Sequence, residues 1–433
     1  MLRRWRELDD TKTLKAIFWL MTASFLAAAL LSPDRAQMLA GMKRFYTTVS
    51  QTSKDYFAVG GVSASFANAF TIALLCTALY CIPGTKLNGT AFLAFTLTVG
   101  FAFWGMNLFN LCASMTGVLL YCLVRREKLC DNVNFMLFST GIAPLMTDLL
   151  LRYPGLELHG YTAQSVLLTL AVGAVVGFFT PIGCKHSPNV HKGYCLYSAA
   201  LPLGLMAIFL RGVLYTLAGA ELPQPELVFG QSRPGAFYGY FLCLFALFTV
   251  LGGCKGGFRQ YGKLLRASGY RQDMIEEYGM GTVLVNAGIF GLFLILYYSL
   301  TGGNLNGIVF GQVLCMVCAA MAGSHPGNVW PILLGYAVAS FGAQAIYPGE
   351  SFPLALSAPE ILVGVCYANG LSPVTGKFGW FAGLLAGSLH YIFVTSIPLL
   401  HGSFLFYNGG FTACLVSIFL IPLLECFVKH EKR

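Results

Sequence analysis

The chain has 433 residues, of which 56% are hydrophobic and only 10% charged, with a formal net charge of +9. A soluble protein carries about 25% charged residues, and no polar stretch here is long enough to build a soluble core of its own. The apolar runs are continuous over about 20 residues, which excludes a β-barrel and marks an all-α, multi-pass integral membrane protein.

The basic N-terminus MLRRWRELDDTKTLK leads into an apolar run at 14–31. Ala27-Ala28-Ala29 resembles a signal-peptide cleavage region, but the internal repeat described below gives this run a partner, so a retained helix is expected. The stretch 32–57 carries Arg35, Lys43, Arg44 and Lys54 and reads as an interfacial amphipathic helix. Six further apolar segments follow at 58–82, 88–104, 111–124, 134–151, 163–184 and 194–218. An acidic linker, AELPQPELVFG, then precedes seven more segments at 236–252, 279–300, 305–322, 329–343, 357–371, 379–400 and 404–427.

The chain is written twice. Shifted by 218 positions, Asp55 meets Asp273, Gly61 meets Gly279, Asn68-Ala69 meets Asn286-Ala287, and Leu87-Asn88-Gly89 meets Leu305-Asn306-Gly307. Gly105, Asn110 and Gly117 likewise meet Gly323, Asn328 and Gly335. From 55 to 122 the match is ungapped, with 16 of 68 positions identical. Shared apolar composition accounts for matched leucines, not for Asn, Asp and Gly in register. With other offsets, Gly141-Ile-Ala-Pro144 matches Gly370-Leu-Ser-Pro373, and His191 to Ser198 matches His401 to Asn408. The expected organisation is a first membrane repeat over 1–220, a linker over 221–235 and a second repeat over 236–433.

Charge sets the expected topology. With the N-terminus inside, Arg125-Arg126-Glu127-Lys128, the loop 184–192, the stretch KGGFRQYGKLLRASGYRQ and the tail KHEKR all fall on the cytoplasmic side, and the linker falls outside. Seven segments per half then invert the second repeat relative to the first. Inverted repeats carry their sites near the midplane, at the repeat interface.

Polar residues inside this apolar frame are the candidate site. The segment pairs 88–104/111–124 and 305–322/329–343 are short and joined by polar breaks, GMNLFN and GSHPGN. They read either as re-entrant hairpins with exposed helix N-termini or as plain turns between spans. The candidate solute contacts are Asn110 and Asn328 with His325 in the breaks, Asn68 and Asn286 inside helices, Asn88 and Asn306 at helix starts, and His191 and His401 at helix mouths. Phe109, Trp104 and Trp330 are expected to shape the path. Capping and interhelical bonding compete for the same side chains. No histidine pair has metal-ligand spacing, and Cys315-x-x-Cys318 lacks a partner pair, so neither metal nor cofactor is expected.

The blocks DYFAVGGVSASFANA, LNGTAFLAFTLTVGFAFWGMNLFN, AGSHPGNVWPILLG, GLSPVTGKFGW and HGSFLFYNGGF resemble an uncharacterised membrane family, a domain-of-unknown-function group mostly from Firmicutes. The resemblance covers nearly the whole chain and implies a protein of the bacterial cell membrane. Tyr407-Asn408-Gly409 is more loosely similar to a motif of urea transporters, which are also inverted duplications. The expected function is a transporter or channel for a small polar solute, neutral or anionic. The expected partners are that solute, the bilayer and, as an open option, further copies of the chain, with no nucleic acid. An intramembrane enzyme built on Asp148 and a histidine, or a sensor or scaffold that moves nothing, are the rivals.

Overall fold

A computed structural model describes residues 2–50, 54–225, 229–347 and 355–427. The basic tail 429–433 and linker residues 226–228 lie outside the described residues. Every regular element among the described residues is a helix, and ten of these helices are long and apolar enough to cross a membrane. The protein is a multi-pass membrane protein.

Each half packs its long helices through small residues. In the first half Leu108–Arg125 lies on Ala163–Val190, where a Cβ built at Gly177 would stand 1.9 Å from the Ser114 carbonyl oxygen. In the second half Pro326–Ile346 lies on Trp380–Val394, and a Cβ at Gly387 would stand 2.0 Å from the Ile332 carbonyl oxygen. Gly173-xxx-Gly177 and Gly383-xxx-Gly387 thus do the same work: without side chains, two backbones come into direct contact. Asp10–Leu31 packs on Val62–Tyr80 and buries Phe18, Met21 and Phe25.

The halves meet through two short helices, Gly89–Phe101 and Gly307–Val317. The first has 13 residues and spans about 20 Å, well short of a bilayer core. They run antiparallel: Gly89 abuts the Met321 carbonyl, Gly307 abuts the Phe103 carbonyl, and Gly100 faces Gly311. A Cβ at Gly311 would lie 2.4 Å from the Gly100 oxygen, so only glycine permits this crossing.

The N-terminus of each short helix is held from the other half. Asp55 Oδ1 accepts from Gly307 N (2.9 Å), and Asp273 Oδ2 accepts from Gly89 N (3.0 Å). Asn88 and Asn306 cap the same two helices, accepting from Ala91 N and Val309 N at 3.1 Å. A carboxylate beside a helix N-terminus complements both the free N–H groups and the helix dipole.

Two faces follow from the loop contacts. The N-terminal residues Trp5, Arg6 and Leu8 bond to 251–255, Lys185 pairs with Glu127, and Tyr270 bonds to Lys192, which gathers the basic loops on one face. On the opposite face the stretch 32–50 and 54–57 lies across the helix ends. Its helix Met38–Tyr46 buries Gly41 and Phe45 and leaves Lys43 and Arg44 exposed.

The fifth segment of each half is interrupted: the first half keeps the one span that the sequence reading had, Leu129–Leu151, with a tight turn inside it, and the second half unwinds. Leu129–Ser139 and Ala143–Leu151 are separated by a tight turn at 140–142, and Pro359–Val365 and Ser372–Phe378 by residues 366–371. The cause is the shared Gly-x-x-Pro. Pro144 and Pro373 open the second pieces, lacking an N–H to continue the first. Gly141 and Gly370 leave room for aromatic rings from the other half: Tyr407 on Gly141 and Tyr197 on Gly370. Phe406 N donates to Gly141 O (2.8 Å), and Leu196 N to Gly370 O (3.0 Å).

If the exchanged carboxylates anchor the halves, Asp55→Ala and Asp273→Ala should each lower stability by about 1.5–3 kcal/mol, with the Asn variants losing less. Thermal unfolding in detergent measures this, and variants melting with the wild type would contradict the anchoring role.

Candidate functional site

Most of the candidate amides are spent on backbone. Asn68 Nδ2 donates to the carbonyls of Ala102 and Met106, both at 2.8 Å. Asn286 repeats this on Ala320 (2.8 Å) and Ser324 (2.9 Å). Each therefore ties the end of a short helix to the polar break after it. Inside the breaks, Asn110 accepts from Asn107 N (2.9 Å) and donates to Gly105 O and Thr147 Oγ1 (both 2.8 Å). Asn328 accepts from His325 N (2.9 Å) and donates to Gly323 O (2.8 Å). Asn107 Oδ1 in turn accepts from Phe109 N and Asn110 N. The free helix N-terminus expected after the first break is capped from within. His325 reaches Ala267 O through Nε2 at 3.0 Å.

Both breaks are buried under chain rather than exposed on a surface. Lys54 N and Tyr56 N donate to the Trp104 and Phe103 carbonyls, and Asn107 Nδ2 donates to Phe45 O, so Phe45 and residues 54–56 roof the first break. In the second, Gly323 packs on Gly269. Of the expected path-shaping aromatics, Trp104 is buried, whereas Phe109 and Trp330 are 55% and 43% exposed on the protein's outer surface.

The remaining candidates, Asn88, His191 and His401, lie on cavity walls. A vestibule of about 440 Å³ enters from the basic face, lined by both halves, among them Asn88, His191, Tyr197, Arg271, Asp273 and Tyr407. Near the opposite face lies a chamber of about 50 Å³ lined by Trp104, Tyr367, His401, Phe406 and Asn408, among others. Apart from Val363, every residue of the chamber wall has its repeat counterpart in the vestibule wall. Trp104 answers to Ala322, Tyr367 to Phe138, His401 to His191, Phe406 to Leu196 and Asn408 to Ser198. The two cavities are one feature in two copies, wide on one face and narrow on the other. Between them stand the rings of Tyr367 and Tyr407, with centroids 6.1 Å apart.

The histidines are set by their bonds. His191 Nδ1 accepts from Cys195 N (3.3 Å), which leaves its Nε2 to donate to Ser198 Oγ (2.9 Å). Asn408 Nδ2 donates to Val394 O, so its Oδ1 accepts from His401 Nε2 (3.2 Å) and the His401 Nδ1 is a bare acceptor. Burial pushes both imidazoles down to about 4, so both are neutral at physiological pH.

The chamber is narrowed by stacked rings. Trp104 lies nearly parallel to Phe406 (centroids 6.0 Å apart, 4°), and Phe101 stacks on Phe406 at 4.8 Å. Ala322 leaves the corresponding wall of the vestibule open. Tyr197 and Tyr367 were not singled out from sequence, and Tyr407 was noted only within Tyr407-Asn408-Gly409, not as a candidate contact. The available signal was the His-x₅-Tyr spacing shared by His191–Tyr197 and His401–Tyr407.

The comparisons agree with the duplication. The family described as "Protein of unknown function (DUF1576)" matches residues 34–216 and again 254–426. The chain belongs to this family. No curated protein and no solved structure matches it. Membership brings no substrate and no reaction, so the site's own geometry carries the functional reading.

Asn68→Leu or Asn286→Leu should lower the melting temperature clearly, since each strands two buried carbonyls at a cost of about 1–3 kcal/mol per group. A variant that melts normally would show that the amide is not the tether the bonding describes.

Proposed function

We propose that this protein is a membrane transporter for a small polar solute, built from two inverted repeats, with the basic face cytoplasmic. The observation that carries the reading is the pair of repeat-related cavities, one wide at the basic face and the other narrow. The exchanged contacts support the inversion. Asp55 and Asp273, Gly89 and Gly307, and Tyr197 and Tyr407 reach across the interface in matched pairs, and the two central helices run antiparallel. A two-fold axis relating two antiparallel helices that lie along the membrane normal lies in the membrane plane. The basic loops on one face support its cytoplasmic placement.

Transport by alternating exposure fits better than a fixed channel. Stacked rings and two tyrosines interrupt the route between the vestibule and the opposite face, while the broken fifth helices supply hinge-like backbone beside both cavities. The enzyme reading loses its proposed pair: Asp148 is engaged by Arg152 and Tyr215 rather than by a histidine.

Ala322→Trp places in the vestibule the indole that narrows the chamber. In proteoliposomes the wild type should move small polar solutes, and Ala322→Trp should reduce that flux at least tenfold while melting near the wild type. Undiminished flux through a well-folded Ala322→Trp would rule out the vestibule as the route.

A further inference from the structure

The two cavities are not chemically equal, and the difference points to where a solute is held. In the chamber wall, Trp104 Nε1 and His401 Nδ1 are buried and take no hydrogen bond, and the buried Tyr367 hydroxyl has only the weakly bonding thiols of Cys315 and Cys366 as partners. The three residues are each at most 1% exposed. Their counterparts in the vestibule are Ala322, Phe138 and His191, of which the first two have no polar side-chain atom and the third has both ring nitrogens bonded. A buried polar atom without a partner costs about 1–3 kcal/mol, and native proteins retain few of them. Two such atoms and one weakly bonded hydroxyl on one small cavity form a set, where the much larger vestibule carries one, Tyr407 Oη.

The backbone at the same place is strained. Tyr367 sits at φ +75°, a left-handed conformation that favours glycine, in the unwound stretch between Pro359–Val365 and Ser372–Phe378. Such strain is held by surrounding structure and concentrates at functional sites. Its counterpart Phe138 lies inside the regular helix Leu129–Ser139.

We propose that the chamber bounded by Trp104, Tyr367 and His401 is the solute-binding site, and that it takes a small neutral molecule carrying both hydrogen-bond donors and acceptors, of the amide class. This rests on the transport reading above. The indole N–H donates, the His401 Nδ1 accepts because its Nε2 proton is committed to Asn408, and the phenol does either. Among the described residues no Asp, Glu, Lys or Arg lines the chamber, the nearby Arg211 is turned to the Leu400 carbonyl, and the bare imidazole lone pair repels an anion. A volume of about 50 Å³ holds roughly three or four water-sized groups, the size of formamide, acetamide or urea.

The test uses the full chain in proteoliposomes, with urea and acetamide as neutral probes, formate and nitrate as anions and methylammonium as cation. Trp104→Phe and Tyr367→Phe keep each ring and delete one polar atom. Wild-type flux is expected for the neutral probes only. Each variant should raise the half-saturating concentration about three- to tenfold. Each should also melt, without solute, at or above the wild-type temperature, because an unsatisfied or weakly bonded polar atom has been removed. Neutral-probe flux that both variants leave unchanged would overturn the site while leaving the transporter standing. Preferred movement of formate, nitrate or methylammonium would overturn the solute class, and so would water permeation with no response to any probe. A wild type that moves neither water nor any probe would count against the transport reading itself, and this proposal would fall with it.

Discussion

Each half of this protein completes the other's central helix. The helix Gly307–Val317 begins in buried surroundings, where free N–H groups have no water to bond, and Gly89–Phe101 begins at the wall of the vestibule. Each is finished by a carboxylate from the opposite repeat, Asp273 for one and Asp55 for the other. Neither half can cap its own short helix in this way, so the exchange makes the halves interdependent. The bare contact of Gly100 with Gly311 then sets how closely the two helices pass.

That constraint places everything else. Because the short helices stop short of a full bilayer crossing, a polar break follows each of them, and Asn68 and Asn286 hold those breaks by their carbonyls. Because the halves are interlocked, Tyr197 and Tyr407 reach across onto Gly370 and Gly141, and the fifth helices give way to admit them. The cavities form between these exchanged elements, one at each face. A few side-chain differences between the copies, chiefly Trp104 against Ala322 and Tyr367 against Phe138, then give the cavities different sizes and chemistry.

Much of this architecture was legible in the sequence. Matched Asn, Asp and Gly residues revealed the duplication, and the apolar runs located the helices. The paired polar breaks pointed to positions that the structure does make special. The roles were less legible. An asparagine in an apolar helix looks alike whether it binds a solute or a carbonyl, and only the position of Ala102 and Met106 assigns Asn68 to the second. Tyr197 and Tyr407 were passed over as candidate contacts because tyrosines near helix starts are common, and their partners, Gly370 and Gly141, lie in the other half of the chain.

The sequence by itself determined the membrane class, the duplication and the paired polar breaks, because these depend on local hydrophobicity, on proline and glycine, and on self-similarity. Only the tertiary structure decided which polar atoms are satisfied and which remain free. Hydrogen bonding inside an apolar environment is settled by which groups the packing brings within about 3 Å, here residues 34 to 38 positions apart in the chain. That proximity turned the candidate asparagines into tethers and left Trp104, Tyr367 and His401 around one small chamber.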